Sequence, residues 1–186
     1  MSLSRWSARA LRLEDLAGLA AVQRACYGSE LLESADVFAK RIASDANCSL
    51  VLEVEGRVCA YLAAYHSRAK KVTPLHGDFD AISEPDTLYL HDMAVLSEYA
   101  GQGLARALLK LMRQRASESR LRYSGLVSVQ GSEAYWKRQG YAPCELKNPA
   151  EQRNLASYGE GAVYMVCELG PVHPSQDCTT RSPCVG

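Results

Sequence analysis

Apolar positions near the start of the chain shift from an extended run to a helical period. Arg5–Leu11 predicts a first strand, and a helix follows from Leu13 to Cys26, where Leu16, Leu19, Ala20 and Gln23 share one face. Gly28-Ser29 breaks that pattern. Ser34 suits the N-cap of a second helix that carries Val37, Phe38 and Ile42. Ser49–Val54 and Val58–Tyr65 are β-branched, apolar runs around Glu55-Gly56-Arg57, the signature of a hairpin. His66 to Asp86 shows no period, and a segment of that length inside a compact domain often covers a site. Thr87–Val95 predicts a buried strand, and Leu104 to Ser119 the strongest helix, with Leu104, Leu108, Leu111 and Met112 as its inner stripe. Leu126–Val129 predicts a short strand, Ser132–Gln139 a short helix stopped by Gly140, and Tyr141–Leu146 and Ala162–Leu169 two final strands. The order is strand, two helices, three strands, helix, strand, helix, two strands: an α/β domain over residues 5–169 on a mixed sheet, then a tail at 170–186.

Composition narrows the class without choosing a function. The chain has 186 residues, 47% of them hydrophobic, with 21 basic against 21 acidic side chains. That balance fits one globular domain and gives no whole-molecule attraction to nucleic acid or to an anionic membrane. No apolar run reaches the roughly 18–20 residues that span a bilayer, and the N-terminus lacks a signal core, so the chain reads as cytosolic. The seven cysteines form no C-x-x-C pair and no histidines stand at ligand spacing, so no metal site is expected. Cys178 and Cys184 are the ones expected to be exposed.

The chemistry concentrates where Leu88–Val95 runs through Leu96–Ala100 into Gly101-Gln102-Gly103 and then straight into a helix. The glycines let backbone approach a ligand, and the first helical turn leaves N–H groups unpaired and dipole-favoured for an anion. It is neither a Walker motif nor G-x-G-x-x-G. Ala100-Gly101-Gln102-Gly103-Leu104-Ala105 resembles the pyrophosphate signature Q/R-x-x-G-x-G/A of the GNAT superfamily of acetyl-CoA-dependent N-acetyltransferases. Ala107-Leu108-Leu109 and Tyr135-Trp136-Lys137-Arg138-Gln139-Gly140-Tyr141 match its order and spacing. Ala100 stands where that family favours Arg or Gln, which removes a side chain and keeps the backbone donors. The resemblance implies a mostly antiparallel sheet and acetyl-CoA as acetyl donor. It places the pantetheine arm on the backbone of Met93, Ala94 and Val95, and the pyrophosphate on the N–H groups of Gln102, Gly103, Leu104, Ala105 and Arg106, with Gly101 at the turn.

Acetyl transfer needs a neutral amine, an oxyanion donor and a proton for the leaving thiolate, with no covalent enzyme intermediate. Period-2 alternation puts Tyr89, His91 and Met93 on one face of the strand and Leu90 and Asp92 on the other. Tyr-Leu-His-Asp-Met-Ala-Val is most similar to the serotonin (arylalkylamine) N-acetyltransferase branch, whose His-x-His helps to remove the amine proton. His91 matches the second histidine and Tyr89 stands at the first. Imidazole suits a general base near neutrality, and the alternative is a histidine satisfied by sheet-edge hydrogen bonds. At the family's acid position the chain has Trp136, whose indole cannot protonate a thiolate. Adjacent Tyr135 points about 100° away on a helix, which leaves Tyr135, Trp136 as cofactor packing, and solvent as the options.

The resemblance implies a primary amine as acceptor, taken here as a small arylalkylamine- or polyamine-like molecule, with Tyr27, Glu30 and Glu33 expected to line its pocket. An acyl-CoA-binding regulatory module and a protein or peptide amine acetyltransferase are the alternatives, and a homodimer stays open. The charge balance is locally uneven. Val72 to Ala105 holds six acids and no Lys or Arg, and Arg106 to Arg122 six bases and one acid. An acidic approach beside a basic helix suits a cationic amine and an anionic cofactor, although solvated loop and helix faces give part of the same pattern.

Overall fold

The computed structural model describes residues 6–170. Arg5, Cys178, Cys184 and the rest of the predicted tail beyond residue 170 lie outside them. Seven strands, β1 (Trp6–Ala10), β2 (Leu50–Val54), β3 (Arg57–Ser67), β4 (Thr87–Val95), β5 (Tyr123–Ser128), β6 (Ala142–Pro143) and β7 (Val163–Glu168), form one sheet in the order β1-β2-β3-β4-β5-β7-β6. Every neighbouring pair is antiparallel except β4 with β5. The helices are α1 (Leu16–Cys26), α2 (Ala35–Ala43), α3 (Leu104–Glu118), α4 (Glu133–Arg138) and α5 (Pro149–Ala156). The mixed, mostly antiparallel sheet flanked by helices is thus the architecture the sequence predicts. Among the described residues no helix is long and apolar enough to cross a membrane.

Three departures from the predicted elements have physical reasons. β5 begins at Tyr123, earlier than expected, because Ser124 and Gly125 carry no strand signal yet pair with β4 and β7. β6 is only two residues long. Most consequentially, an unpredicted helix, α5, fills the span between the last two strands. Its N-cap is Asn148, whose Oδ1 accepts Ala150 N at 2.8 Å, with Pro149 in the first turn. None of its residues is fully buried, so it offers no apolar stripe to read.

α1 and α2 cover the sheet face that carries Val58, Tyr61 and Tyr65. A Cβ on Gly18 would lie 3.1 Å from Val58, and Phe38 meets Tyr61 edge-on at 6.1 Å. α2 is capped by Ser34, whose hydroxyl accepts Val37 N, as the sequence predicts.

Two features of β4 open the sheet at its C-terminal half. Its pairing with β3 slips between Ala63 and Ala64, opposite Asp92 and Leu90, so His91 is the extra residue of a β-bulge. Its parallel pairing with β5 runs only from Thr87↔Tyr123 to Leu90↔Leu126. Beyond Leu90 the two strands part. Leu96 N donates to Cys59 O, and ladder bonds alternate along an antiparallel pair. Met93 and Val95 therefore turn their backbone away from β3, onto the edge that β5 has left.

Candidate active site

A cavity of about 280 Å³ opens where β4 and β5 diverge. β4 supplies Leu90 to Met93, β5 and its loop supply Leu126, Val127 and Val129, α4 supplies Tyr135 and Trp136, and Tyr27, Leu31, Glu33, Leu75 and Tyr158 close the other side. The lining is mostly apolar and aromatic, with a few polar groups held in place.

The bulge overturns the alternation expected for β4. Asp92 does not face away from His91. Both side chains turn toward α1 and α2, His91 to Glu33 and Asp92 to Tyr27 and Tyr61. An extra residue in the strand shifts every side chain after it by one face.

His91 is buried, and both ring nitrogens have partners. Nε2 lies 3.1 and 3.3 Å from the two Glu33 oxygens, and Nδ1 lies 3.3 Å from the Tyr158 hydroxyl. Glu33 sits just before the α2 N-cap, and Arg41, in the last turn of α2, returns a two-pronged bond at 2.5 and 2.6 Å. His76 N donates to Glu33 Oε1 at 2.8 Å. Arg41 is itself 1% exposed, lies over the Phe38 and Phe79 rings at 5.2 and 4.9 Å, and donates to Gly77 O. Burial opposes the Glu33 charge, but His91 and Arg41 outweigh it and hold the carboxyl below the ordinary carboxylate range.

Tyr158, just after α5, also reaches Thr73 O at 2.7 Å. Burial and then Glu33 push its phenol well above the usual value. The aperiodic segment before β4 is therefore tied down rather than loose. Arg41 holds Gly77, Glu33 holds His76, Tyr158 holds Thr73, and Glu151 and Asn154 of α5 hold both backbone groups of Val72.

The second polar group is Asp92. Tyr27 Oη lies 2.5 Å from Asp92 Oδ1 and 2.9 Å from Met93 O, and Tyr61 donates to Asp92 Oδ2. Cys26 Sγ reaches Val95 O at 3.3 Å. Both side chains that meet the open β4 edge thus come from the end of α1.

At the far end of β4, Gly101 and Gly103 have φ of +74° and +84°, with nothing within 4 Å of an added Cβ. A left-handed backbone at both points is what a glycine supplies without strain. Ala107 N to Gly103 O is the first bond of α3, so the N–H groups of Gly103, Leu104, Ala105 and Arg106 precede the helical ladder and point out of it. Gln102 N differs: it donates inward to Tyr99 O at 3.3 Å. This donor set, the open space around the glycines and the unpaired β4 edge suit an extended ligand with a phosphate at one end.

Several expected site residues lie elsewhere. Tyr89 is fully buried between Tyr65 and His91, is no part of the pocket lining, and has no hydrogen-bond partner for its hydroxyl among the described residues. Glu30 is exposed and outside the lining. Glu33 lines the pocket, but its oxygens are already taken by Arg41, His76 and His91. The acidic block before β4 does not approach the cavity: Asp78, Asp80 and Glu84 are exposed, and Asp86 accepts Ala69 N and the Thr87 hydroxyl. Tyr135 and Trp136 both reach the cavity wall, in edge-on contact at 5.0 Å. Arg41 and Tyr158 carry no mark in the sequence that singles them out. The Asn148-Pro149 helix start is the one available hint of the second, and nothing local distinguishes the first.

The profile of the acetyltransferase (GNAT) family matches residues 16–141 of the chain. No curated protein sequence matches it. Among solved structures, the ribosomal-protein-S18-alanine N-acetyltransferase of Escherichia coli is 16% identical, with a TM-score of 0.65 over 92% of this chain and 98% of that one. N-acetylglutamate synthase from Neisseria gonorrhoeae, complexed with coenzyme A and N-acetyl-glutamate, is 16% identical at a TM-score of 0.67, covering 89% of this chain and 35% of that one. The PaiA N-acetyltransferase of Thermoplasma acidophilum, in complex with coenzyme A, is 13% identical at 0.64, over 88% and 99%. At these identities the likeness is one of fold.

Proposed function

Since the chain belongs to the GNAT family of acetyltransferases, we propose that it moves an acetyl group from acetyl-CoA to the primary amine of a small molecule. His91 serves as the base in this reading. Acetyl-CoA supplies an acetyl carbon activated as a thioester. Met93 and Val95 would hold its arm along the edge that β5 leaves open, while Ala94, expected to share that role, turns its backbone to Tyr61 of β3. Gly103 to Arg106 would hold its pyrophosphate, with Trp136 at the cavity wall. The single observation that carries the reading is His91, buried at the cavity wall where β4 and β5 part and oriented from both sides.

The proton chemistry is set by the partners. Glu33 accepts from Nε2–H, which leaves the Nδ1 lone pair as the basic site, a tautomer set by the carboxylate as in other carboxylate–histidine pairs. Tyr158 has one proton and two acceptors within reach, Nδ1 at 3.3 Å and Thr73 O at 2.7 Å. When Nδ1 gains the amine proton, Tyr158 keeps its own on Thr73 O and accepts from Nδ1–H. The charged ring then has an acceptor at each nitrogen, and Glu33 stabilises it.

A small acceptor is supported by the cavity's size of about 280 Å³ and by walls of Leu31, Leu75, Val129 and Tyr135, which suit an apolar body behind the amine. Glu33 is saturated and Asp92 is held by two tyrosines, so neither carboxyl of the lining waits for a cation. The amine is instead bound by shape and delivered for deprotonation. The narrower likeness to the serotonin branch gains nothing from the three acetyltransferases compared, and Tyr89, at the place of that branch's first histidine, is packed away from the cavity. The test is an amine panel of arylalkylamines, polyamines, amino acids and an N-terminal peptide, with acetyl-CoA and mass detection of product. Acetylation of a small amine above background is expected. Acetylation of the peptide alone would move the acceptor to proteins, and CoA binding without any product would make the chain a binding module.

A further inference from the structure

The proton that the leaving thiolate needs has no donor at the position where Trp136 stands, but the hydrogen bonds at the end of α1 carry one. Three oxygen–oxygen contacts meet around Asp92: Tyr27 to Asp92 Oδ1 at 2.5 Å, Tyr27 to Met93 O at 2.9 Å, and Tyr61 to Asp92 Oδ2. The two phenols own two protons. If Asp92 is a carboxylate, Tyr27 must choose between Asp92 and Met93, and one close contact is left with no hydrogen in it. If Asp92 carries a proton, each contact receives one: Asp92 donates to Tyr27, Tyr27 to Met93 O, and Tyr61 to the other Asp92 oxygen. Burial pushes the Asp92 carboxyl upward in the same direction, against the pull of the two tyrosine bonds; His91 and Glu33 are the other ionisable groups acting on it, with opposite signs. The chain of donors then points from Asp92 through Tyr27 to the open β4 edge.

We propose that Tyr27 protonates the departing CoA sulfur and that Asp92 replaces the proton on Tyr27. This rests on the acetyl-transfer reading above. An extended chain laid on that edge would bring its own N–H to Met93 O, which frees the Tyr27 hydroxyl to turn to a new acceptor in the cavity that it lines. Starting from the neutral amine, the N–C bond forms, the C–S bond breaks and its electron pair stays on sulfur. The sulfur takes the Tyr27 proton, Tyr27 takes the Asp92 proton, and His91 takes the proton lost by nitrogen. That last proton returns to Asp92 through solvent as the site resets, so the balance closes. Asp92 is needed behind Tyr27 because burial raises the phenol's hold on its proton, and an unassisted phenol of that kind is a poor acid toward a thiolate.

Two measurements test this, one without turnover. In the unliganded protein near neutral pH, difference infrared spectroscopy of wild type against Asp92→Asn should show the carbonyl stretch of a protonated carboxylic acid. A carboxylate signal there overturns the proposal. In the thiol-release assay with acetyl-CoA and the best amine of the panel, Tyr27→Phe and Asp92→Asn should each lower kcat by about 10²-fold, the size of a general-acid contribution. KM for acetyl-CoA should stay within about 3-fold, and the double variant should be no worse than the slower single one. Losses that multiply in the double variant, a loss in KM instead of kcat, or a Tyr27→Phe enzyme within about 3-fold of wild type would each overturn it. Should Asp92→Asn not fold, Tyr27→Phe decides the kinetic arm and isotope-labelled aspartate in wild type the spectroscopic one. A wild-type protein that releases no thiol would overturn the acetyl-transfer reading instead, and the infrared result would stand apart from it.

Discussion

Replacing His91 by alanine should lower kcat/KM for the acceptor amine by 10²- to 10⁴-fold at neutral pH, the range of a positioned acid or base, or about 2.7–5.5 kcal/mol of barrier. Added imidazole should restore part of the alanine variant's rate, because the deletion leaves a space beside Tyr158 and the Glu33–Arg41 pair. KM for acetyl-CoA should stay within about 3-fold, since the donor is held by backbone groups of β4 and α3. The same pattern separates the proposed role from packing: a histidine that only filled space would cost stability and leave turnover, per folded molecule, unchanged. Steady-state kinetics with and without imidazole, and a melting curve for each protein, check it. A His91→Ala enzyme within about 3-fold of wild type, or one deaf to imidazole, contradicts it.

The Arg41→Met variant should lose about 3–5 kcal/mol of folding stability at neutral pH, the cost of leaving a buried carboxylate without its partner. Glu33 and Arg41 side chains are 2% and 1% exposed, so water cannot take over. The guanidinium also stacks on Phe38 and Phe79 and pins the segment before β4 through Gly77, contacts that methionine keeps only in part. Urea unfolding followed by circular dichroism reads the loss. Two further results identify its origin. Glu33→Gln combined with Arg41→Met should recover a large part of it, because the unpaired charge is gone. And a carboxyl held below its ordinary value stabilises the fold above its unfolded pKa of about 4.3 and loses that contribution on acidification. With the arginine removed, that contribution is weaker from the start, so the gap between wild type and variant should shrink as the pH falls below about 4. A double variant no better than the single one would mean that the stacking and the Gly77 bonds, not the ion pair, dominate.

The strand–turn–helix unit is legible in the sequence because each part leaves a local mark: an apolar run in Thr87–Val95, two glycines at left-handed positions, and a regular stripe in α3. What a sequence cannot display is the consequence of one extra residue. A bulge at His91 changes no composition, yet it brings Asp92 round to the His91 side, and the parting of β5 just beyond it leaves the backbone edge of Met93 and Val95 without a strand partner among the described residues. Glu33 is legible as an acid near the site but not as a saturated one. Its partners Arg41 and His91 are 8 and 58 residues away, and only the packed α2 and β4 bring the three together. Tyr158 is hidden for a different reason: α5 presents no buried stripe, so the helix that delivers it has only its Asn148-Pro149 start to announce it. Tyr89, by contrast, stands out by its place two residues before His91, and burial removes it from the cavity.

Donor and base are expected to meet where β4 and β5 part, and a crystal structure with coenzyme A tests this most directly. The expected result is the pyrophosphate on the N–H groups of Gly103 to Arg106, the pantetheine amides paired with Met93 and Val95, and the sulfur inside the cavity between Tyr27 and His91. Coenzyme A bound along another surface, or with its sulfur outside that cavity, would contradict it.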